Sequence, residues 1–144
     1  MIVEQILNEK GHEVVTLRAD HTLHEAAQLL DEKKIGAVVT LGLDDRIIGV
    51  LSERDIVRQV ARHGADAMAM LVGGAMTRAV ISVQASTPID EALQTMTDRR
   101  IRHLPVVHNE RLTGVISIGD LVKWKIAETE EEARAMKSYL SAQF

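Results

Sequence analysis

Two stretches of the sequence place a hydroxyl and a carboxylate at a spacing that could bind a polar ligand. Gly49-Val-Leu-Ser52-Glu-Arg-Asp55 and Gly114-Val-Ile-Ser117-Ile-Gly-Asp120 share one pattern: Gly, two apolar residues, Ser and, three residues on, Asp. In each, an apolar run leads into a helix start, where free backbone N–H groups favour an anionic or hydroxyl-rich ligand. An ionised carboxylate beside them only accepts hydrogen bonds, so it can take both hydroxyls of a ribose.

The same spacing also has a purely structural interpretation. Ser-x-x-Asp is a helix-capping box, in which the hydroxyl and the carboxylate bond to the backbone at the helix start. An acidic residue in the first turn also complements the helix dipole. One isolated copy favours capping, whereas two copies, each after Gly and two apolar residues, favour binding. Both interpretations stay open on these residues alone.

The two motifs belong to an internal repeat. An offset of 66 residues aligns Val14–Leu41 with Val80–Val107, with six of 28 pairs identical, and an offset of 65 aligns Gly49–Arg58 with Gly114–Lys123, with five of ten identical. A period this long exceeds that of solenoid repeats. It indicates two copies of a small α/β unit.

Each copy is predicted to fold in the order β-α-β-β-α, with a sheet covered by helices. The first helix begins at Thr22 in one copy and at Thr87, before Pro88, in the other. The second helix begins at Ser52 or Ser117. Turns are predicted at Gly42–Asp45 and His108–Arg111. The predicted strands are Glu13–Leu17, Ala37–Leu41 and Arg46–Leu51, then Ala79–Val83, Leu104–Val107 and Leu112–Ile116.

The repeat divides the chain into four parts. Residues 1–62 form the first repeat with an N-terminal helix, 63–76 a linker, 77–127 the second repeat and 128–144 a C-terminal helix. The N-terminal helix is predicted over Ile2–Glu9 and closed by Gly11, and an exposed acidic helix over Glu128–Leu140. Because a unit of roughly 65 residues buries too little apolar surface alone, the two repeats are expected to pack sheet to sheet about a pseudo-twofold axis and to form two clefts.

Composition excludes several classes of function. The 144 residues include no Cys, which excludes a thiol nucleophile and Cys-ligated zinc. A net charge of -4 and an aromatic content of 2% argue against nucleic-acid binding. No apolar run approaches a membrane span, and acidic residues near the start do not fit a signal peptide. A cytoplasmic protein without a membrane partner is therefore expected.

Catalysis and metal binding find little support in the sequence. His21 and His24 straddle a predicted helix start without a third ligand, so no metal site is expected. Neither a nucleophile–base pair nor a dinucleotide fingerprint is present, so no catalytic residue is assigned.

The sequence resembles the cystathionine-β-synthase (CBS) domain pair, or Bateman module, of the stand-alone bacterial type. The resemblance covers nearly the whole chain and rests on the doubled Gly-apolar-apolar-Ser-x-x-Asp, on Ile101-Arg102-His103-Leu104-Pro105-Val106 and on Met76-Thr77. It implies a regulatory, non-catalytic module without a catalytic cofactor. The implied ligand is an adenosine derivative such as AMP, ADP, ATP, NAD(H) or S-adenosylmethionine. The implied partners are a second copy, in a flat disc-like homodimer, and an effector protein.

The resemblance also assigns residues to the two clefts. In it, the Asp takes the ribose hydroxyls and the Ser lies near the ribose or phosphate. The first cleft would use Ser52 and Asp55 with Thr77, Val80, Ile81, Arg102, His103 and Pro105. The second would use Ser117 and Asp120 with Lys10, Val15, Gly36 and Ala37.

The two clefts are predicted to differ in charge. Arg54 lies inside the first motif, and Arg102 and His103 occupy the positions that Gly36 and Ala37 hold in the other copy. The first cleft is therefore expected to prefer phosphorylated ligands, whereas Lys10 would have to supply the charge in the second. The alternatives are an interaction or structural module whose clefts stay empty and, with the least support, an enzyme acting on a nucleotide.

Overall fold

The structure is a computed structural model that describes residues 1–109 and 111–143. Its helices and strands, in chain order, are α1 Val3–Lys10, β1 Thr16–Arg18, α2 Leu23–Lys33, β2 Ala37–Leu41, β3 Ile47–Ser52, α3 Glu53–His63, β4 Val83–Gln84, α4 Ile89–Arg99, β5 His103–His108, β6 Arg111–Ser117 and α5 Ile118–Gln143. The predicted α/β class with two β-α-β-β-α repeats is confirmed. Glu110, in the predicted turn His108–Arg111, and Phe144, at the end of the predicted segment 128–144, lie outside the described residues.

The chain forms two compact units. One, the first-repeat unit, is Val14–Ile81; the other, the second-repeat unit, joins Met1–Glu13 to Ser82–Phe144. The N-terminal helix thus packs with the second repeat, although it precedes the first in sequence. The boundaries of the four predicted segments stay predictions, and so does the sheet-to-sheet packing of the two repeats.

Each unit contains one three-stranded sheet, with strand orders β1-β2-β3 and β4-β5-β6. The first two strands of each sheet are parallel and the last two antiparallel, and both antiparallel pairs have a register shift, at Thr40/Leu41 and Val106/Val107. The pairing sets Ala37 opposite Ser52 and His103 opposite Ser117. The residue before each second helix therefore lies at a matching place in both sheets.

The helices that follow β1 and β4 begin differently. Thr22 caps α2 as predicted, because its hydroxyl accepts from the N–H of Glu25 while the Glu25 carboxylate accepts from the N–H of Thr22. At α4 the prediction of Thr87 as the starting residue is wrong: the N-cap is Pro88, and the Thr87 hydroxyl accepts instead from the N–H of Gln84 at 3.0 Å. That bond closes the turn ahead of the helix.

Several segments differ in extent from their prediction. β1 and β4 are shorter than the predicted strands Glu13–Leu17 and Ala79–Val83. The C-terminal helix is not separate, since α5 runs without a break from Ile118 through Gln143. The predicted linker contains 3₁₀ turns at Gly64–Ala69 and Val72–Gly74 and contributes buried apolar residues to the core of the first-repeat unit: Ala67, Val72, Ala75 and Met76. Within the described residues, no helix is both long and apolar enough to cross a bilayer.

Candidate functional site: two helix-start carboxylates

The first motif forms a complete capping box at the start of α3. The Ser52 hydroxyl accepts from the N–H of Asp55 at 3.3 Å, and Oδ2 of Asp55 accepts from the N–H of Ser52 at 2.9 Å. Asp55 is 5% exposed. Its second oxygen, Oδ1, accepts from Nη1 of Arg58 at 3.0 Å. Both oxygens of this carboxylate therefore have partners in the first-repeat unit.

The second motif repeats this geometry at the start of α5. The Ser117 hydroxyl accepts from the N–H of Asp120 at 3.1 Å, and Oδ2 of Asp120 accepts from the N–H of Ser117 at 2.9 Å. Nζ of Lys10 donates to the same Oδ2 at 2.7 Å and to the backbone oxygen of Val115 at 2.9 Å. Among residues 1–109 and 111–143, no hydrogen bond reaches Oδ1 of Asp120.

The two carboxylates differ in exposure and in the cation that holds them. The side chain of Asp120 is 25% exposed and that of Asp55 is 7% exposed. Burial by itself raises the pKa of Asp120, but hydrogen bonds from the Lys10 ammonium and from the Ser117 N–H, with the charge of Lys10, outweigh burial and hold that pKa below its ordinary value. At neutral pH Asp120 is therefore an ionised acceptor.

The glycine of each motif allows a neighbouring segment to cross its strand. A Cβ atom on Gly49 would lie 2.5 Å from Sδ of Met76 and 2.9 Å from Oγ1 of Thr40. On Gly114 it would lie 2.6 Å from Cδ2 of Leu7. In the first-repeat unit the crossing segment leads to Thr77, and in the second-repeat unit the crossing helix α1 ends at Lys10. Both were predicted ligand-binding residues.

Thr77 lies beside the strand that leads to the first cap. It forms an antiparallel bridge with Val50, with N–H to O distances of 2.9 and 3.0 Å in the two directions. Thr77 is exposed, and the next predicted contacts, Val80 and Ile81, are half-buried in the same unit. The structure thus groups Thr77 with Ser52 in one unit, and Lys10 with Asp120 in the other.

The remaining predicted residues are distributed as follows. Arg54 is exposed in the first turn of α3, and Val15 is half-buried ahead of β1. In the first-repeat unit Gly36 accepts from the N–H of Glu53 at 2.9 Å, and it lines a groove of about 570 Å³ between α2 and α3. Ala37, Arg102, His103 and Pro105 lie at or beside the strands β2 and β5.

Arg102 and His103 lie in the second-repeat unit next to the start of α5. The backbone oxygen of Arg102 accepts from the N–H of Ile118 at 2.9 Å, and His103 is the register partner of Ser117. Arg102 is exposed, His103 is half-buried and Pro105 is buried. The assignment of these three residues to the cleft of Asp55, and of Val15, Gly36 and Ala37 to that of Asp120, stays a prediction.

Arg58 is the site residue that the sequence analysis did not assign. It lies one helical turn after Asp55, and cation and anion three residues apart on a helix face each other. That spacing was the available signal. His21, by contrast, pairs with Glu25 through Nδ1 at 3.0 Å, and no cluster of three metal-ligating side chains occurs in the part of the chain that the structure describes.

Comparison with known proteins identifies the family. The family model of the CBS domain matches residues 3–62 and again 72–127. The chain is a CBS domain pair. This agrees with the two β-α-β-β-α repeats and with the resemblance carried by the doubled motif. CBS domain pairs are generally regulatory, non-catalytic modules, and the matching model describes no catalytic family.

Relatives and solved structures with the same fold span most of the chain. The mitochondrial CBS domain-containing protein CBSX3 of Arabidopsis thaliana is 33% identical over 125 residues, covering 84% of this chain and 61% of that protein. The chain thus spans less than two thirds of that relative. The crystal structure of the CBS-domain containing protein ATU1752 from Agrobacterium tumefaciens is 42% identical, with a TM-score of 0.85 over 87% of this chain and 99% of the other.

A more distant structure shares the fold. It is the CBS domain pair of protein MJ0100 in complex with 5′-methylthioadenosine and S-adenosyl-L-methionine, which is 22% identical, with a TM-score of 0.79 over 89% of this chain and 98% of that one.

Proposed function

We propose that this CBS domain pair is a non-catalytic sensor that binds an adenosine-containing nucleotide, such as AMP, ATP or NAD(H), and passes its occupancy to a partner protein. Asp55 and Asp120 accept the ribose hydroxyls, and Ser52 and Ser117 lie beside the ribose or phosphate. The observation that carries the proposal is the doubled helix-start carboxylate, which makes the same capping bonds to its serine in both units.

The capping bonds support this role because they fix each carboxylate in place. In each motif one carboxylate oxygen accepts a hydrogen bond from the serine N–H: Asp55 from Ser52, and Asp120 from Ser117. A side chain held in this way loses little further freedom when a ligand binds, and preorganisation of this kind favours affinity. The same contacts stabilise the helix, so capping and binding are compatible uses of one residue.

The two carboxylates would meet a ribose differently. Oδ1 of Asp120 accepts no hydrogen bond from the described residues, so it is available to a ribose hydroxyl while Oδ2 keeps Ser117 and Lys10. At Asp55 a ribose would take the place of Arg58 on Oδ1. The Arg58 side chain is 51% exposed, so it can swing into solvent.

The fold itself is compatible with such ligands. Both small molecules bound to the domain pair of protein MJ0100 contain an adenosine group. At 22% identity this similarity concerns the fold.

A thermal-shift screen with a matched capping control tests the proposal. The ligands are AMP, ADP, ATP, NAD, NADH and S-adenosylmethionine, with GTP as the non-adenine comparison. The variants are Asp55→Asn and Asp120→Asn, which remove the charge but keep an oxygen for the capping bond. Glu25→Gln makes the same change in the capping box of α2, which is assigned no ligand.

The proposal predicts a stabilisation by one or more adenine ligands. At 100 times its Kd a ligand adds about 2.7 kcal/mol, or about 5–10 °C in Tm for a chain of this size. This shift is expected to persist in Glu25→Gln and to be lost in at least one of the Asp variants. A shift that both Asp variants retain would place the ligand elsewhere. If no ligand stabilises the wild type, the interaction or structural module becomes the better interpretation.

A further inference from the structure

One side of α3 carries a row of three arginines. Arg54, Arg58 and Arg62 follow one another at intervals of four residues, and all three are exposed. In an α-helix, four residues advance about 6 Å along the axis and turn about 40° around it. The three residues therefore share one side of the helix in a slowly winding row, which we call the arginine stripe.

The arginine stripe is separate from the sides by which α3 meets its own unit. The buried side of the helix carries Asp55, Ile56 and Gln59. Another side carries Val57, which lines the groove between α2 and α3. Because each residue turns the helix by about 100°, the stripe points away from both sides. It is thus a surface that the packing of the first-repeat unit leaves open.

Two of the three cations have no acidic partner in the described ranges 1–109 and 111–143. Neither Arg54 nor Arg62 forms an ion pair there. Arg58 differs, because its Nη1 donates to Oδ1 of Asp55 at 3.0 Å. Like charges four residues apart on a helix repel each other. An anionic partner laid along the stripe would remove this repulsion.

The stripe belongs to the first repeat alone. The offset of 65 residues that aligns the two motifs sets Gly119, Lys123 and Ala127 of α5 at the corresponding positions. Both helices nevertheless form and begin with the same capping box. The β-α-β-β-α fold therefore does not require three cations at these positions, which points to recognition as their use.

The spacing of the stripe fits an acidic helix. Carboxylates at every fourth residue of a helix repeat at the same interval of about 6 Å, so one carboxylate can face each arginine. The guanidinium group pairs well with a carboxylate, because its planar fork can donate two parallel hydrogen bonds. A nucleic acid fits less well, since the chain as a whole has a net charge of -4.

We propose that the arginine stripe docks an acidic helix of a partner protein, and that Asp55 controls how many cations the stripe offers. While Oδ1 of Asp55 holds Arg58, two arginines are available to the partner. A ligand hydroxyl that takes Oδ1 releases the third. Bound ligand then strengthens docking, and by linkage the docked partner strengthens ligand binding by the same factor. This coupling to a ligand rests on the proposed function, whereas the docking and its dependence on Asp55 do not.

Fluorescence anisotropy with a synthetic acidic helix tests the docking. The probe is a fluorescein-labelled alanine peptide of about 20 residues, long enough to form a helix alone, with Glu at every fourth position. In about 0.1 M salt, charges more than about 10 Å away are largely screened. The double variant Arg54→Gln/Arg62→Gln should then bind the peptide about tenfold more weakly. Arg46→Gln/Arg134→Gln removes the same charge from exposed arginines on other elements and should bind like the wild type.

Asp55→Asn tests the control of the stripe without any nucleotide. Asn keeps an oxygen for the capping bond but leaves Arg58 without its carboxylate, so the peptide should bind about three- to fivefold more tightly. Glu25→Gln makes the same charge change in the same unit and should have little effect. Adding Arg58→Gln to Asp55→Asn should abolish the gain. A nucleotide bound at Asp55 should tighten the peptide by a similar factor, which titrations with and without AMP or ATP measure.

Three results would overturn the docking proposal. They are a wild type that binds a Gln-for-Glu peptide as tightly as the acidic one, equal losses in the two double arginine variants, and an Asp55→Asn variant that binds no more tightly than Glu25→Gln.

The nature of the partner and the coupling have their own contradicting outcomes. Equal binding of a peptide with the same charges but two central prolines, or of a DNA duplex, would contradict an acidic helix as the occupant. A nucleotide that binds but weakens the peptide would place its phosphate on the stripe and contradict the coupling. If no nucleotide binds at all, the proposed function fails while the results with the acidic peptide and Asp55→Asn still decide the docking.

Discussion

A side chain at position 114 is expected to displace helix α1. The Cβ of an alanine there would lie 2.6 Å from Cδ2 and 3.0 Å from Cδ1 of Leu7, about 1 Å closer than the usual carbon–carbon contact of ~3.5–4.0 Å. Leu7 is 1% exposed, so it has no solvent to move into. Overpacking of this kind costs about 1–3 kcal/mol, which corresponds to a fall in Tm of about 3–10 °C.

Thermal unfolding of Gly114→Ala measures this cost against a matched glycine. Gly74→Ala is the control, because no atom lies within 4 Å of its Cβ position, and its Tm should stay at or slightly above that of the wild type. The collision also predicts coupling: in the double variant with Leu7→Ala, the added Cβ finds room, so Gly114→Ala should then cost little or nothing.

Two results would refute this reasoning. One is a Gly114→Ala variant as stable as Gly74→Ala. The other is simple additivity of the losses from Gly114→Ala and Leu7→Ala. Because α1 ends at Lys10, whose Nζ lies 2.7 Å from Oδ2 of Asp120, the displacement is also expected to loosen that ion pair.

Three further predictions concern the charged groups. The pKa of Asp120 is lowered, so its pair with Lys10 stabilises the fold above the ordinary pKa of 3.8 and ceases to do so as pH falls through the lowered value. Because Lys10 is partly exposed, Lys10→Met should cost about 1 kcal/mol in urea unfolding at neutral pH and nothing in strong acid. A loss of stability that does not depend on pH would contradict this. His21→Ala should raise the pKa of Glu25 from about 2 toward 4.5 in a carboxyl NMR titration, because the His21 hydrogen bond is the largest cause of the lowered value; an unchanged pKa would refute it. Arg58→Ala should tighten nucleotide binding a few-fold at the first capping carboxylate by calorimetry, whereas weaker binding would mean that Arg58 contacts the ligand.

The repeat made much of the fold predictable. Because the two copies align, one strand and helix pattern supported the other, and Ala37–Leu41 was predicted with the bounds that the structure gives β2. The start of α4 was predicted at the wrong residue. A Thr before Pro matches a helix-start signal, but the Thr87 hydroxyl accepts a hydrogen bond from the preceding turn instead. The unbroken α5 was missed because the acidic run after Ala127 resembled a separate solvated helix.

The candidate site was predictable in part. The spacing of Ser and Asp was enough to identify both capping carboxylates, and Lys10 was expected near the second. Which cation holds which oxygen depends on three-dimensional contacts, so the bond between Arg58 and Asp55 was not foreseen. The packing of α1 with the second repeat depends on the contact between Gly114 and Leu7. These two residues are distant in sequence, and Leu7 lies outside the aligned motifs.

The most direct test of the central claim compares AMP with 2′-deoxy-AMP by isothermal titration calorimetry. The two ligands share the adenine and the phosphate and differ by one ribose hydroxyl, the group that Asp55 or Asp120 is proposed to accept. A hydrogen bond to a charged group contributes about 1.5–3 kcal/mol, so the deoxy ligand should bind about 10–100-fold more weakly. Equal affinity for the two ligands would contradict the assignment of these carboxylates to the ribose.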